Sequence, residues 1–474
     1  MRKKFISVLS LLASDFLCIF LCFFVAFLIR KEILPSIIPE LKTRPVYIEG
    51  YFRQFYMYLV WVIVFYYEKL YTMRYTFWDE AQKLFKATTI SFALVMLTVY
   101  MTAQWLKFSR LVILEAWIFS ILLLPVFRYG IKSILLKYGF WRKKVIIIGS
   151  IDSSTSLIKA IRENKILGFE IVGCLCDDPL DKEKTINGVQ ILGRIDEIEK
   201  WKKTTGFEDI IVTLPDMPRE KLIPLMKIWD QISDTIRYIP RTGDLISTGV
   251  NIENIGSVLS LAVRKNLFKP WNILVKSVFD FILAFIIFVL LLPFFLIAAA
   301  AIKIDSRGPV FFVQERFGKR EKRFQCFKFR SMYQDADERL ETHLWKNPEA
   351  GEEWKKYKKL KANDPRVTRV GRFLRKYSLD ELPQLINILK GEMSLVGPRP
   401  YILTELKDYS YYKTILSQVK PGITGLWQIS GRSLLTFQER LNLDEHYIRN
   451  WSLWLDVVIL IKTIQAASSG KGAF

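Results

Sequence analysis

The chain has 474 residues and a mass of 55.6 kDa, which is too long for one ordinary domain. Hydrophobic residues make up 51% of it and its mean hydropathy is +0.18, which excludes a disordered chain and indicates membrane segments. The net charge of +22 predicts acidic partners: phosphates, anionic lipid or nucleic acid. Two histidines exclude a multi-histidine metal site, and five cysteines argue against a disulfide scaffold.

Four apolar stretches in the N-terminal part are each near the length needed to cross a hydrocarbon core of about 30 Å. Asp15 and Glu115 lie inside the first and fourth stretches, and we interpret them as polar residues that face the inside of a helical bundle. Lys and Arg are concentrated before the first stretch, between the second and third and after the fourth. Both ends of the bundle are therefore predicted to face the cytoplasm. The stretches are Ser7–Ile29, Gln54–Tyr67, Ala87–Leu106 and Leu111–Phe127.

A βαβ pattern of the doubly wound type follows the bundle. It begins with Lys144–Ser150 (KVIIIGS), a buried parallel strand with a glycine turn, and continues with a helix and further strands. The residues after Gly149 lack the second and third glycines of a nucleotide-binding fingerprint. The pattern therefore favours a structural or regulatory module over a cofactor site. The predicted elements are helix Ser156–Asn164 and strands Glu170–Cys176 and Asp209–Leu214.

The stretch Phe281–Ile302 is uncharged and is interrupted by Pro293. Its length is that of an ordinary membrane span, but a full crossing would export the basic tail that follows a cytoplasmic module. Proline removes a backbone donor and kinks a helix. We therefore predict a re-entrant helix that is broken at Pro293 and leaves the membrane on the side where it entered.

The densest run of chemistry-bearing residues extends from Lys361 to Pro400. Ser378 as N-cap with Glu381 three residues later predicts a capping box. Acids at a helix N-terminus can have a purely structural role, in which they offset the helix dipole. The basic residues around them favour a phosphate site instead, since guanidinium groups and helix N-termini bind phosphate. A carboxylate can attack phosphorus, and an acid pair can bind Mg²⁺. The basic residues are Arg366, Arg369, Arg372, Arg375, Lys376 and Arg399.

The segment from about Pro270 to Phe474 resembles the bacterial sugar transferase family, the polyprenol-phosphate phosphoglycosyl transferases with a re-entrant membrane helix. The N-terminal half is similar to the long members. Within them, Phe77–Glu80 (FWDE) and Trp105–Arg110 (WLKFSR) look most like undecaprenyl-phosphate galactose phosphotransferases. The motifs that carry the family resemblance are Lys276-x3-Asp280, GPVFF with Gln314 and Arg316, KFRSM (Lys328–Met332), NDPRVT (Asn363–Thr368), SLDELPQ (Ser378–Gln384), GEMSLVGPRP (Gly391–Pro400), PGITGLWQISGR (Pro421–Arg432) and NWSLWLD (Asn450–Asp456).

The resemblance implies a ping-pong reaction in which Asp380 attacks the sugar-linked phosphorus of a UDP-hexose and releases UMP. Polyprenyl phosphate then takes the phosphosugar from the aspartyl intermediate. Glu381, with Asp380, would hold Mg²⁺. The matching basic phosphate contacts are Lys328, Arg330, Arg375 and Arg399.

We thus expect a membrane protein of α and α/β class in the bacterial inner membrane, with its catalytic domain on the cytoplasmic face. The expected partners are a UDP-hexose, undecaprenyl phosphate and membrane lipid, with no nucleic acid, and we expect a homodimer. The predicted domains are a four-helix transmembrane bundle (1–143), a Rossmann-like cytoplasmic module (144–265), a re-entrant helix (270–305) and a compact α/β catalytic domain (306–474).

Three alternatives stay open at this point. The donor can be UDP-glucose rather than the favoured UDP-galactose. A membrane-bound UDP-sugar dehydratase would need a Tyr-x3-Lys base, for which Tyr357/Lys361 and Tyr409/Lys413 have the spacing but no glycine fingerprint. A non-catalytic export scaffold would use the basic tail to bind anionic lipid.

Overall fold

The structure is a computed structural model, and it divides into two compact units, residues 1–241 and 242–474. The described residues are 2–43, 51, 55–101, 108–176, 185–214, 217–239, 250–255, 258–263, 266–357, 364–406, 409–431 and 435–469. Gln54 and Leu106, which bound two predicted spans, and the motif residues Asn363 and Arg432 lie outside them.

The first unit begins with a helical bundle. By length and composition, three of its helical segments could cross a membrane, namely Phe5–Ile37, Phe77–Met101 and Arg110–Lys137, whereas the helix around Tyr58–Tyr67 is shorter. In the described part of the chain, the predicted four-helix bundle thus consists of three helices long enough to cross a membrane and one shorter helix. The helices are α1 (Arg2–Leu28), which continues through a π-helical turn into α2 (Leu34–Ile37), α3 (Phe55–Tyr67), α4 (Phe77–Met101) and α5 (Arg110–Lys137).

A network of ion pairs lies inside this bundle. Arg128 pairs with Asp15 at 2.6 Å and with Glu80 at 3.0 Å, and Lys132 pairs with Glu80 at 2.6 Å. Tyr71 donates to Asp15 at 2.9 Å. Asp15 therefore faces inward as predicted. Our assignment of Arg128 and Lys132 to a loop is wrong, because α5 extends ten residues beyond the predicted end and both cations are buried within it.

A six-stranded sheet completes the first unit. Its order is β3-β4-β2-β1-β5-β6, and every neighbouring pair is parallel except β3 with β4. The apolar run of β1 is buried on both faces, as expected for a central parallel strand. The predicted β-α-β order is present, although its helix begins at Ile151 rather than Ser156. The elements are β1 (Lys143–Gly149), α6 (Ile151–Glu163), β2 (Phe169–Cys176), β3 (Thr185–Ile186), β4 (Val189–Arg194), α7 (Ile198–Thr205), β5 (Asp209–Thr213), α8 (Arg219–Ile232) and β6 (Thr235–Tyr238).

The second unit contains a long apolar helix that is interrupted once. Helix α9 (Pro270–Leu290) is long and apolar enough to cross a membrane, and α10 (Leu292–Asp305) follows after Leu291. Leu291 leaves helical geometry, with φ −90° and ψ 2°, and Pro293 stands in the first turn of α10. A proline is tolerated there because the first N–H groups of a helix have no intrahelical acceptor. The break thus lies two residues before the predicted position.

The rest of the second unit is a small α/β domain with one apolar core, into which Phe295, Ala298 and Ile302 of α10 pack. Trp451 is buried in this core and donates to Asp456 at 3.0 Å, so it is a packing residue rather than an exposed interfacial ring. The elements are β7 (Val250–Ile255), β8 (Val258–Val263), β9 (Phe311–Phe317), β10 (Arg323–Phe329), α11 (Ala336–Lys346), α12 (Pro348–Tyr357), α13 (Arg369–Lys376), α14 (Gln384–Leu389), β11 (Ser394–Val396), α15 (Ser410–Leu416), β12 (Gly422–Thr424), α16 (Leu426–Ser430), α17 (Phe437–Asn450) and α18 (Leu453–Ser469). Strands β7 and β8, and β9 and β10, form antiparallel hairpins, whereas β11 and β12 are parallel.

Candidate functional site

The carboxylate pair lies on a short 3₁₀ turn, Leu379–Glu381, between α13 and α14. Ser378 precedes this turn with φ 57°, a left-handed conformation that residues other than Gly, Asn and Asp rarely adopt. Its side chain makes no capping hydrogen bond. The predicted capping box is therefore wrong: α14 starts only at Gln384, and the two acids lie on the tight turn that leads to it.

Strand β10 brings a cation to this turn. Its Lys328 Nζ lies 2.5 Å from Glu381 Oε1, and both side chains keep part of their surface exposed. Lys328 pairs with Phe312 of β9 in the hairpin register, and this pairing fixes the face of the hairpin on which the lysine side chain lies. Lys328 and Glu381 are 53 positions apart in sequence, and the fold brings them together. The phosphate contact that the resemblance implied for Lys328 stays a prediction.

The charges around Asp380 act in opposite directions. Burial raises the pKa of the Asp380 carboxyl, and the negative charge of Glu381 raises it further, whereas Lys328 and Arg375 lower it. The pKa as a whole lies above the usual value for an aspartate. A carboxylate that is short of solvent and beside a second carboxylate is a stronger nucleophile and a ready partner for a cation.

Arg375 also belongs to this cluster. Its Nε donates to Ser331 Oγ at 2.8 Å, which fixes the guanidinium against the end of the β9–β10 hairpin. Burial lowers the pKa of Arg375, and the charges of Asp380 and Asp364 offset part of that effect. Among the predicted site residues, the turn thus gathers Asp380, Glu381, Lys328 and Arg375.

Arg330 has a different position. It is buried, and its Nη2 donates to the Ser306 carbonyl at 2.7 Å and to the Ser306 hydroxyl at 2.9 Å. Ser306 follows the last residue of α10. Arg330 therefore ties the end of the broken helix to strand β10. Its Nε and Nη1 are buried without a hydrogen-bond partner among the described residues, so the phosphate contact that the resemblance implied stays a prediction.

Arg399 lies in the Gly397–Pro400 loop after β11. Its backbone N–H donates to Asp444 Oδ2 at 3.3 Å, and its guanidinium carbon lies 5.6 Å from the ring centre of Trp427. Gly397 is required here, because a Cβ at that position would come within 3 Å of the Gly422 nitrogen and the Lys420 carbonyl. The loop is thereby held tightly against the start of β12.

The sequence analysis gave no role to two residues around Arg399: Arg316, which it named only as a motif residue, and Asp444. Arg316 donates to the Pro400 carbonyl at 3.2 Å, and burial lowers its pKa, with Arg399 lowering it further and Glu381 partly raising it. Arg316 therefore lies within electrostatic range of both Arg399 and Glu381. The alternating Gln314-x-Arg316 on β9 was the available signal. For Asp444, which is buried in α17, the sequence offered no such signal.

The carboxylate pair suits a magnesium ion. Two adjacent carboxylates, one with a raised pKa, offer the few protein ligands that Mg²⁺ takes when substrate phosphate and water complete its shell. No group of three or more His, Cys, Asp or Glu that could hold a metal is present among the described residues. The donor set therefore fits a metal shared with a phosphate substrate better than a metal held by protein ligands alone.

The dehydratase alternative gains nothing from the geometry. Lys361 lies outside the described residues. Lys413 pairs with Glu321 at 3.1 Å on the surface of the second unit. Tyr409 is the N-cap of α15 and Lys413 lies within that helix.

Two family models match the chain. A model described as bacterial sugar transferase matches residues 271–470, and one described as CoA-binding domain matches residues 70–240. In Salmonella typhimurium (strain LT2), a protein named undecaprenyl-phosphate galactose phosphotransferase is 35% identical over 85% of this chain and 84% of its own length. The undecaprenyl-phosphate glucose phosphotransferase of Komagataeibacter xylinus is 33% identical over 70% of this chain and 60% of its own. The exopolysaccharide production protein ExoY of Rhizobium meliloti (strain 1021) is 45% identical over 44% of this chain and 91% of its own.

The described residues at the β1–α6 turn do not fit the diphosphate of coenzyme A. A Cβ at Gly149 would lie 1.8 Å from Thr213 Oγ1, so this glycine packs directly against β5 and admits no side chain. Ser153 Oγ donates to the Thr213 carbonyl at 2.8 Å, and Asp152 adds a negative charge in the first turn of α6. The described part of this turn and the end of β5 carry no basic side chain.

Proposed function

This chain belongs to the bacterial sugar transferase family, and on that premise we propose that it is a phosphoglycosyl transferase that moves hexose-1-phosphate from a UDP-hexose to undecaprenyl phosphate. The observation that carries the proposal is the arrangement of Asp380 and Glu381 on one turn, with Lys328 at 2.5 Å from Glu381 and Arg375 beside Asp380. The reaction would be an early membrane step in the synthesis of a surface polysaccharide.

In the first half-reaction, a carboxylate oxygen of Asp380 attacks the sugar-linked phosphorus of the donor. The new bond joins that oxygen to phosphorus, and the bond from phosphorus to the bridging oxygen breaks, so that UMP leaves with the bonding electrons. In the second half-reaction, a phosphate oxygen of undecaprenyl phosphate attacks the same phosphorus. The aspartyl oxygen–phosphorus bond then breaks and restores the free carboxylate.

The cations of the site position the donor and stabilise the charge that develops on the phosphoryl oxygens. Lys328 and Arg375 lie beside the nucleophile, and Arg316 and Arg399 extend the positive region along the donor diphosphate. Prepositioned charge of this kind supplies most of the catalysis in phosphoryl transfer. Bound Mg²⁺, held by Asp380 and Glu381, would neutralise negative charge on the donor diphosphate.

We also propose that α9 and α10 form a re-entrant pair on the cytoplasmic face of the inner membrane. Asp280 of α9 accepts from Ser394 at 2.6 Å, and Asp305 of α10 accepts from the Val370 N–H at 2.9 Å. A straight helix would separate these two carboxylates by about 37 Å. Phe295, just after the break, has its ring 5.5 Å from that of Phe288 and 5.3 Å from that of Phe329. Anchors for both arms on one compact domain support entry and exit on the same side.

The favoured donor is UDP-galactose. The support is that the relative named for galactose is 35% identical over 85% of the chain, against 33% over 70% for the one named for glucose. Galactose and glucose differ only in the direction of the C4 hydroxyl, and a site that hydrogen-bonds this hydroxyl can discriminate strongly. The homodimer stays a prediction.

The test is the initial rate of UMP release by the purified full-length protein with undecaprenyl phosphate, Mg²⁺ and a panel of UDP-sugars at equal concentration. UDP-galactose is expected to be the fastest donor. Faster release from UDP-glucose or an N-acetylated donor would make the sugar assignment wrong and leave the reaction class intact. No UMP from any UDP-sugar would contradict the reaction itself.

A further inference from the structure

A second cationic site lies at the base of α9. Helix α9 contributes Lys276 and Asp280 to a small cleft that is open to solvent. Lys319, which follows β9, and Lys420, which precedes β12, face the same cleft, and Ser394 of β11 forms part of its wall. None of the candidate catalytic residues lines it.

The positive charges around this cleft are only partly neutralised. Lys276 Nζ lies 2.8 Å from Asp456 Oδ2 and 3.4 Å from Asp280 Oδ2, so its charge is satisfied. Among the described residues, the ammonium groups of Lys319 and Lys420 have no carboxylate or hydrogen-bond partner. Three lysines against two carboxylates leave a net positive charge.

Lys420 is half-buried, which makes its unpaired charge costly. Burial lowers the pKa of Lys420; Asp280 offsets part of that effect, and Lys319 and Lys276 lower the pKa further. A bound anion would remove this penalty. Asp280 Oδ1 is buried without a hydrogen-bond partner, and it could accept from a hydroxyl or ammonium group of the same ligand.

The position of the cleft relates it to the membrane. On the same turns of α9, Trp271, Leu274 and Val278 are exposed, with Trp271 71% exposed. Tryptophan is enriched at membrane–water interfaces, and the exposed apolar surface of α9 begins here. The lysines of the cleft therefore lie where lipid headgroups would meet the protein.

We propose that this cleft binds a phosphate group, and that the carrier of this phosphate is an anionic membrane lipid. Lys319 and Lys420 supply the charge, and Asp280 Oδ1 accepts from a donor on the headgroup. The inference is independent of the transfer reaction, because it concerns residues outside the carboxylate site.

The test measures lipid retention by the purified full-length protein in native mass spectrometry. The probes are short-chain phosphatidylglycerol and, as the zwitterionic comparison, short-chain phosphatidylcholine. The double variant Lys319→Gln/Lys420→Gln should bind phosphatidylglycerol at least tenfold more weakly than the unaltered protein. Lys322→Gln is the matched control, since it removes an exposed positive charge three residues from Lys319. It should bind like the unaltered protein.

Two further measurements keep the result interpretable. Lys420→Arg, which keeps the charge, should retain the lipid, so that loss in the glutamine variant is not mistaken for misfolding. Inorganic phosphate, titrated as a competitor, distinguishes a lipid from a soluble anion as the ligand. Weak competition with phosphatidylglycerol supports a lipid. Tight binding of inorganic phosphate that is lost in the double variant would assign the cleft to a soluble anion and overturn the proposal of a lipid. Equal retention of phosphatidylglycerol by the double variant and the unaltered protein would overturn the site.

Discussion

Asp380 has neighbours whose charges shift its pKa in opposite directions, which makes its ionisation testable. A nucleophilic carboxylate must be ionised, so activity should fall as pH drops through its raised pKa. Lys328→Met removes a charge that lowers this pKa and should move the acidic limb of the rate profile to higher pH. Glu381→Gln removes a charge that raises it and should move the limb to lower pH, even though turnover also drops.

The measurement is kcat/KM against pH for the three proteins, with Lys390→Met as the control. Lys390 is an exposed lysine of the same domain whose ammonium lies 4.7 Å from the ring centre of Phe327. Its profile should match that of the unaltered protein. Limbs that move in the same direction in both test variants would contradict the assignment of Asp380 as the ionising group.

Asp444 predicts a pH dependence of stability rather than of chemistry. Burial raises its pKa to about 7, against hydrogen bonds from Tyr401 and the Arg399 N–H that lower it. The folded state therefore binds a proton that the unfolded chain releases between about pH 4 and pH 7. This contribution to stability is complete below the unfolded pKa and is lost as pH rises through about 7, by at most about 4 kcal/mol.

Asp444→Asn keeps the shape and removes this titration. The thermal unfolding midpoint of the unaltered protein should fall more steeply from pH 5 to pH 8 than that of the variant. The difference between the two slopes removes the contribution of groups that titrate in both proteins. Parallel slopes would mean that Asp444 stays ionised in the folded chain.

At the level of elements, the helix pair α9–α10 is tested by cysteine labelling. All five native cysteines are buried, so single introduced cysteines report alone. Lys269→Cys and Lys303→Cys flank the pair at exposed positions and should both react with an impermeant maleimide only after the inner membrane is opened. Glu40→Cys, in the exposed segment after α2, should react in intact spheroplasts. Labelling of Lys303→Cys in intact spheroplasts would show a full crossing.

Helix bounds were harder to predict than helix positions. Hydropathy counts a charge against a span regardless of its partner, and so Arg128 and Lys132 were placed after the fourth span and Glu80 lay before the predicted start of the third, at Ala87. The fold neutralises them against one another inside the bundle, and α4 and α5 extend through them. The predicted capping box at Ser378 is wrong because Ser378 takes a left-handed conformation on a 3₁₀ turn, and the helix that the motif predicts begins only at Gln384.

The site shows the same division between local and distant information. Asp380, Glu381, Lys328 and Arg375 belong to motifs that the sequence displays, and the fold gathers them. Arg316 and Asp444 were missed because their roles arise from contacts with Pro400 and Arg399, far away in sequence. Arg330 belongs to a recognisable motif, but only its hydrogen bonds to Ser306 show that it anchors a helix.

Considered as a whole, the molecule keeps its candidate chemistry in the second unit, so the first should affect stability alone. Arg128→Met leaves Asp15 buried without its cation and takes one of two cations from Glu80, which keeps Lys132, and should cost on the order of 3 kcal/mol. The thermal midpoint in detergent should fall clearly, while KM for the UDP-sugar stays unchanged. Arg142→Met, at an exposed position after α5, should alter neither value. A changed KM in Arg128→Met would indicate coupling of the bundle to the site.

The covalent intermediate is the central claim, and the mass of the intact protein tests it most directly. The full-length protein is incubated with UDP-galactose and Mg²⁺ without the lipid acceptor and then quenched in acid. A fraction should gain the mass of one hexose phosphate, and digestion should place the adduct on the peptide that contains Ser378–Gln384. Asp380→Asn should show no adduct and lose turnover at least about a thousandfold, whereas Asp337→Asn, an exposed carboxylate on α11, should behave normally. An adduct on another peptide, or product formed by Asp380→Asn at a normal rate, would contradict the account.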